Sequence, residues 1–245
     1  MSWRDPRRPR KGPIVDFDRP FDPEAAKVAV AQKTPRQEEP LKENDLGNKK
    51  QFFPVSKRWQ HEKAEMFKLR VKTYFEYGPR KTFYDKSPPN QTIPVRADGN
   101  CFFRAISVII TGSESEHLRV RELITKHVSD HPDMYRTFLM SRGGMSEYLT
   151  NMRRPKEWAT DVEILATATM LKSVVEVFFP CRINSITEYR WQTFKPLDNP
   201  DINQPAIYIC NKNEHFEPVL DINPTTGTSS ERPKNFRKAA YGLDY

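Results

Sequence analysis

The sequence predicts an α+β fold, a small central β-sheet packed by helices, and three observations predict it. Helical patterns fill the middle of the chain and strand patterns follow them, instead of alternating as βαβ units would. No segment repeats. Apolar residues make up 37% of the chain against 29% charged, so part of it is expected to lie outside a packed core.

Residues 1–54 read as a disordered, basic, Pro-rich arm. Eight of the 21 prolines precede residue 60, and no hydrophobic period is visible there. Residues 55–91 read as a helix and linker. The helix is placed at 56–77, where Trp59, Met66, Phe67, Arg70, Val71, Tyr74 and Phe75 recur at roughly helical spacing until Gly78-Pro79. The linker over 80–91 contains Pro88-Pro89. The domain proper is expected over 92–223, and a second disordered tail over 224–245.

Inside that domain Thr92–Val95 reads as extended and Asp98-Gly99-Asn100 as a turn. Cys101 to Thr111 reads as a helix with Phe102, Phe103, Ile106, Ile109 and Ile110 mostly on one side, closed by Gly112. Ser113 and Glu116 predict a capping box for a second helix bearing Val120, Leu123, Ile124, His127 and Val128. Helical stretches follow near 132–139 and 145–152. Thr160 and Glu163 predict another capping box, opening a helix over 161–171. Strands are placed at Ser173–Phe179, Tyr189–Phe194, Ala206–Cys210 and His215–Ile222, the last two joined by a hairpin loop at 211–214.

The net charge of +8 is uneven. Residues 1–90 hold 21 Lys+Arg against 13 Asp+Glu, whereas residues 91–223 hold 15 against 17. The basic character belongs to the flanks, where a solvated tail is the favoured reading. A nucleic-acid function is not expected, because the arm has neither interleaved aromatics nor a recognition motif. The three cysteines, Cys101, Cys181 and Cys210, are odd in number and widely spaced. That argues against a disulfide scaffold and a zinc knuckle and suits a reducing, cytoplasmic or nuclear setting. Cys181 reads as a loop thiol and Cys210 as a strand core residue. No apolar run approaches the ~18 residues a bilayer span needs, so no membrane partner is expected.

A nucleophilic thiolate needs a lowered pKa, an adjacent imidazole and donors for the developing oxyanion. Gly99 and Asn100 tolerate a tight loop whose N–H groups would converge on one small space. Cys101 then falls at the positive end of a helix. Among five histidines, His215 begins a strand directly after a hairpin, with Glu217 two residues on and therefore on the same face. Glu217 could fix the His215 tautomer. Asp98 is the alternative acid, or an Asx turn that shapes the loop. Trp158 reads first as a core residue beside a helix start and only second as a channel wall. Glu163 reads as a capping residue.

The run Asp98-Gly99-Asn100-Cys101-Phe102-Phe103-Arg104-Ala105 resembles the signature of the ovarian-tumour (OTU) deubiquitinases, which have a papain-like cysteine protease fold. The stretch Trp158–Ile164, the strands Val174–Val177 and Ala206–Ile209, and His215-Phe216 are similar to that family in order and spacing over about residues 92–222. The resemblance implies thiol-dependent hydrolysis after the C-terminal Gly of ubiquitin or a ubiquitin-like modifier. It implies Cys101 as nucleophile, His215 as base, Asp98 or Glu217 as third member, and no metal or cofactor. A monomer is expected. The competing expectation is a ubiquitin-binding scaffold with the same fold and little activity.

Overall fold

The computed structural model describes residues 47–183, 186–198 and 204–224. The arm over 1–46 and the tail over 225–245 lie outside the described residues. Six helices and seven strands are seen among the described residues. They are β1 (Lys49–Phe52), α1 (Lys57–Phe67), β2 (Lys81–Tyr84), β3 (Pro89–Thr92), α2 (Cys101–Thr111), α3 (His117–Asp130), α4 (Pro132–Leu139), α5 (Gly144–Met152), α6 (Asp161–Leu171), β4 (Val174–Ile183), β5 (Ile186–Phe194), β6 (Ala206–Lys212) and β7 (His215–Ile222). This is an α+β fold around a five-stranded sheet of order β3-β7-β6-β4-β5. Only β4 and β6 pair in parallel.

Both faces of the sheet are buried, and the two-residue period of the strands divides its side chains between them. Val175, Val177, Phe179, Ile207, Ile209 and Phe216 join a core built with α2, α3 and α6. Val174, Phe178, Trp191, Ala206, Tyr208, Cys210, Val219 and Ile222 form a second core with Phe52 of β1 and Phe83 of β2. Polar contacts fasten that second cover. The Tyr208 hydroxyl donates to Gln51 O (3.0 Å) and accepts from Phe53 N (2.9 Å). The Trp191 indole donates to Ser87 O (2.7 Å), and Lys50 pairs with Glu176 (2.7 Å).

The expected arm and linker are therefore corrected at their inner ends. Residues 49–52 pair with 81–84 as a two-stranded sheet, and Phe52 is fully buried. Pro89–Thr92 pairs with β7, so the extended piece lies a few residues earlier than Thr92–Val95. The expected helix over 56–77 ends at Phe67. Lys68 takes the left-handed conformation (φ 53°) and Leu69 N returns to Ala64 O at 2.9 Å, a Schellman-type stop. Tertiary bonds outcompete helix beyond that point. The Gln60 amide, fully buried, bonds both N and O of Phe75, and Lys72 and Thr73 donate to Thr111 O.

The Ser113–Glu116 capping box is not formed. Ser113 instead caps a short 3-10 turn over Glu114–Glu116, and α3 starts after it. The Thr160–Glu163 box is present, with Glu163 fully buried. Cys181 lies in β4 rather than in a loop, and Cys210 is buried. The β6–β7 hairpin is tighter than expected. It turns on Asn213 (φ 53°) and Glu214 (φ 63°), a two-residue loop of the kind that matches strand twist.

Candidate active site

Three segments meet here: the 98–101 loop, the first turn of α2, and the start of β7. Apolar contact sets their spacing. The Phe102 ring packs edge-on against Phe216 with centroids 5.3 Å apart, which holds α2 against β7. Strand β3 pairs with β7 only from Val219 onward. The edge of β7 at 215–217 is thus left unpaired by β3, and the Phe216 N–H there acts to lower the pKa of the Cys101 thiol. The Phe102–Phe216 contact thus brings the start of α2 beside the residue directly after His215, although 114 positions separate Cys101 from His215 in the chain.

Cys101 is the first residue of α2, half-buried, with Asn100 as N-cap. Burial pushes its thiol pKa up, against the helical expectation of a lowered value. The N–H groups of Phe216, Phe102 and Cys101 pull the other way without overcoming it, and the Asp98 charge adds slightly to the rise. On β7, His215 and Glu217 share a half-buried face, while Phe216 between them is buried. His215 Nε2 lies 3.8 Å from Glu217 Oε1, close enough for ion pairing and too long for a good hydrogen bond. That orientation leaves Nδ1 for the other side of the ring.

Asp98 has a different set of partners. Its Oδ1 accepts from Asn100 N (3.0 Å) and Arg104 Nε (3.0 Å), and its Oδ2 accepts from Arg104 Nη2 (2.6 Å). The Arg104 guanidinium holds this carboxyl well below the usual carboxylate range. Asp98 therefore makes the Asx turn, and both its oxygens are engaged with Asn100 and Arg104. The turn also takes up the Asn100 N–H, one of the donors expected to face an oxyanion. Arg104, nearly buried itself, continues to Glu114 (3.2 Å).

Gly99 and Asn100 sit as loop shapers. Gly99 has φ +81°, and a Cβ there would come within 2.5 Å of Lys156 O, so only glycine fits. Asn100 is buried, and its side-chain oxygen accepts from Lys156 N and Arg121 Nη2, both at 2.9 Å. Trp158 is 40% exposed and so is not the core residue first expected. It stands two residues beyond the Lys156 that touches the loop. Among the described residues, no group of three or more His, Cys, Asp or Glu converges as a metal cluster would require.

Arg104 and Arg121 were not singled out from the sequence. Arg104 was visible as part of the motif. Arg121 shares the buried face of α3 with Ile124 and Val128, and a charge on such a face is the signal that marks it.

A half-buried thiol on the first turn of a helix, beside a strand edge bearing imidazole and carboxylate, has the layout of a cysteine protease site. The comparisons with known proteins agree. The model of the OTU-like cysteine protease family matches residues 96–220, about half of the chain, and the chain belongs to that family. It is 33% identical over 81 residues to the ovarian tumor domain-containing deubiquitinating enzyme 7 of Arabidopsis thaliana, covering 33% of this chain and 22% of that protein. It is 32% identical over 130 residues to human OTU domain-containing protein 4, covering 52% of this chain and 10% of that protein. The chain thus spans a minor part of these curated relatives. Among solved structures, the OTUD1 OTU domain is 25% identical with a TM-score of 0.45, covering 53% of this chain and 85% of that one. The Hazara virus OTU bound to ubiquitin is 17% identical with a TM-score of 0.44, covering 62% and 96%.

Proposed function

We propose that the chain is a thiol-dependent deubiquitinase, hydrolysing the bond after the C-terminal Gly of ubiquitin through a Cys101 acyl-enzyme. The observation that supports it most is the packing of the first turn of α2, which begins at Cys101, against the start of β7, which begins at His215, in a chain of this family. Several curated relatives carry deubiquitinating or ubiquitin thioesterase names, which supports the same substrate class.

Burial raises the thiol pKa, which suits base-activated attack, with His215 Nδ1 taking the thiol proton as Sγ attacks the carbonyl. The Sγ–carbon bond forms, the oxyanion is held by the Cys101 N–H and its neighbours, and the imidazolium returns the proton to the leaving lysine amine. Water then attacks the thioester, with His215 again as base. Glu217, behind Nε2, is the third member that orients the ring, and Asp98 shapes the oxyanion loop. The neutral Glu217→Gln should lower kcat/KM about tenfold, since it removes charge stabilisation from the imidazolium without removing the base.

The test is release of a fluorophore from the C-terminus of ubiquitin. Turnover by the folded chain that vanishes in Cys101→Ala and His215→Ala is expected. Binding of ubiquitin without turnover would replace the enzyme by a ubiquitin-binding scaffold.

A further inference from the structure

Arg121 lies on α3, 97% buried, and the catalytic reading gives it no role. Its fork is nevertheless spent on the loop before the nucleophile. Nη2 donates to Asn100 Oδ1 (2.9 Å), to Glu157 O (2.7 Å) and, more weakly, to Gly99 O (3.4 Å). Nη1 faces Met152 O (3.4 Å) and Met152 Sδ (3.1 Å), and the guanidinium plane covers the Phe103 ring at 3.8 Å. Burial lowers its pKa to about 10, so the charge is kept at neutral pH. Taking a guanidinium out of water is costly unless its bonds are made. Here both Nη atoms are bonded, to one short loop and to the segment beside it, while Nε has no partner among the described residues.

The direction of each peptide plane shows what this does. In a trans peptide, C=O and N–H point opposite ways. The Gly99 carbonyl faces Arg121, and the Asn100 N–H on the other side of that plane donates to Asp98. The Asn100 carbonyl accepts from Arg104 N (2.9 Å) in the first helical turn. The Cys101 N–H, on the other side of that plane, must then point away from the helix, and it acts to lower the pKa of its own thiol. Two arginines hold the loop from opposite sides, Arg104 through Asp98 and Arg121 through Gly99 and Asn100. Arg121 also ties in Glu157, next to the exposed Trp158.

We infer that Arg121 is a positioning residue for acyl transfer: it fixes the Gly99–Asn100 peptide so that the Cys101 N–H meets the developing oxyanion. This rests on the hydrolase reading above. It separates two reactions of the same sulfur. Alkylation by iodoacetamide displaces iodide and develops no oxyanion, so it needs the thiolate but not the loop. Hydrolysis of a ubiquitin C-terminal amide needs both.

The experiment measures both rates in wild type, Arg121→Gln and Arg121→Lys, across pH, with a thermal melt of each. Arg121→Gln is expected to lose about 10²-fold in kcat, with KM changed less than about threefold, while alkylation and its pH profile stay within about twofold. Arg121→Lys keeps charge without the fork and should recover part of the loss. Should neither arginine variant fold, Asn100→Ala removes the Arg121 and Lys156 acceptor from the loop itself and reads the same split. A kcat that survives in the folded variants, or an alkylation rate that falls in parallel with kcat, overturns the inference. A wild type that alkylates normally but never turns over ubiquitin overturns the hydrolase reading, and this inference with it.

Discussion

The two faces of the central sheet are covered by different kinds of sequence. The helical face is covered by α2, α3 and α6, whose apolar stripes are plain in the chain and which all lie within the family-matched region. The opposite face is covered by β1, β2 and the segments around them, within residues 47–95, wholly before that region. Only two fully buried aromatics, Phe52 and Phe83, reach into that core from the extension strands, amid Lys, Gln and Thr. The helical face carries Cys101, whereas the extension supports the strand that carries His215. Gly78 N donates to Leu220 O, Ile93 N to Pro218 O, and β3 pairs with β7. The difference teaches that a short polar segment can be structurally obligatory when it closes a sheet face that the rest of the domain leaves open.

The comparison breaks most visibly on deletion. A chain beginning at Arg96 loses the entire second cover and exposes Phe178, Trp191 and Tyr208. It is expected to give no cooperative thermal transition. The milder Phe52→Ala should cost about 3–5 kcal/mol, as a deep-core deletion does, read by chemical denaturation. A loss under ~0.5 kcal/mol, typical of surface positions, would mean the extension is ornamental.

Acid should discriminate the faces next. His127 on α3 is packed against His131 and Tyr135, and its Nε2 has no partner among the described residues. Burial, then the nearby His131 and Lys172, push its pKa down to about 4. The unfolded chain binds this proton near the ordinary 6.5, so between those values the unfolded state holds more protons. Stability from this group is constant above about pH 7 and falls as pH drops toward 4, by on the order of 1–2 kcal/mol after allowing for partial solvation. Denaturation midpoints at pH 7 and pH 5 should differ less in His127→Gln than in wild type.

The smallest effect sits at the tip of the β6–β7 hairpin. Glu214 occupies a left-handed position where glycine is preferred. Glu214→Gly is expected to stabilise by about 0.5–1 kcal/mol, visible as a raised melting temperature. A destabilised variant would show that the glutamate side chain has a role its backbone conformation does not reveal.

Much of the helical face was legible in the sequence because its signals are local. The α2 stripe, the Thr160–Glu163 capping box and the start of β7 could each be read within a few residues. What escaped was decided by distant partners. The predicted helix to residue 77 stops at Phe67 because Gln60 and Thr111 offer better bonds to the chain that follows. β1 and β2 carry weak strand patterns and exist because Tyr208 and Trp191 need covering. Asp98 could be read as an acid or a turn former; the turn is formed, and Arg104, six residues on, bonds both carboxylate oxygens. The rise in the Cys101 pKa also lay beyond the sequence, since a helix terminus is visible there but burial is not.

The central claim is that Cys101 and His215 act together at the open edge of β7. Intact mass after incubation with ubiquitin bearing a C-terminal vinyl sulfone tests it most directly. The account predicts one ubiquitin added per chain at Cys101, no addition in Cys101→Ala, and addition slowed at least about 10²-fold in His215→Ala. Undiminished addition in folded His215→Ala, or addition that persists in Cys101→Ala, would contradict it.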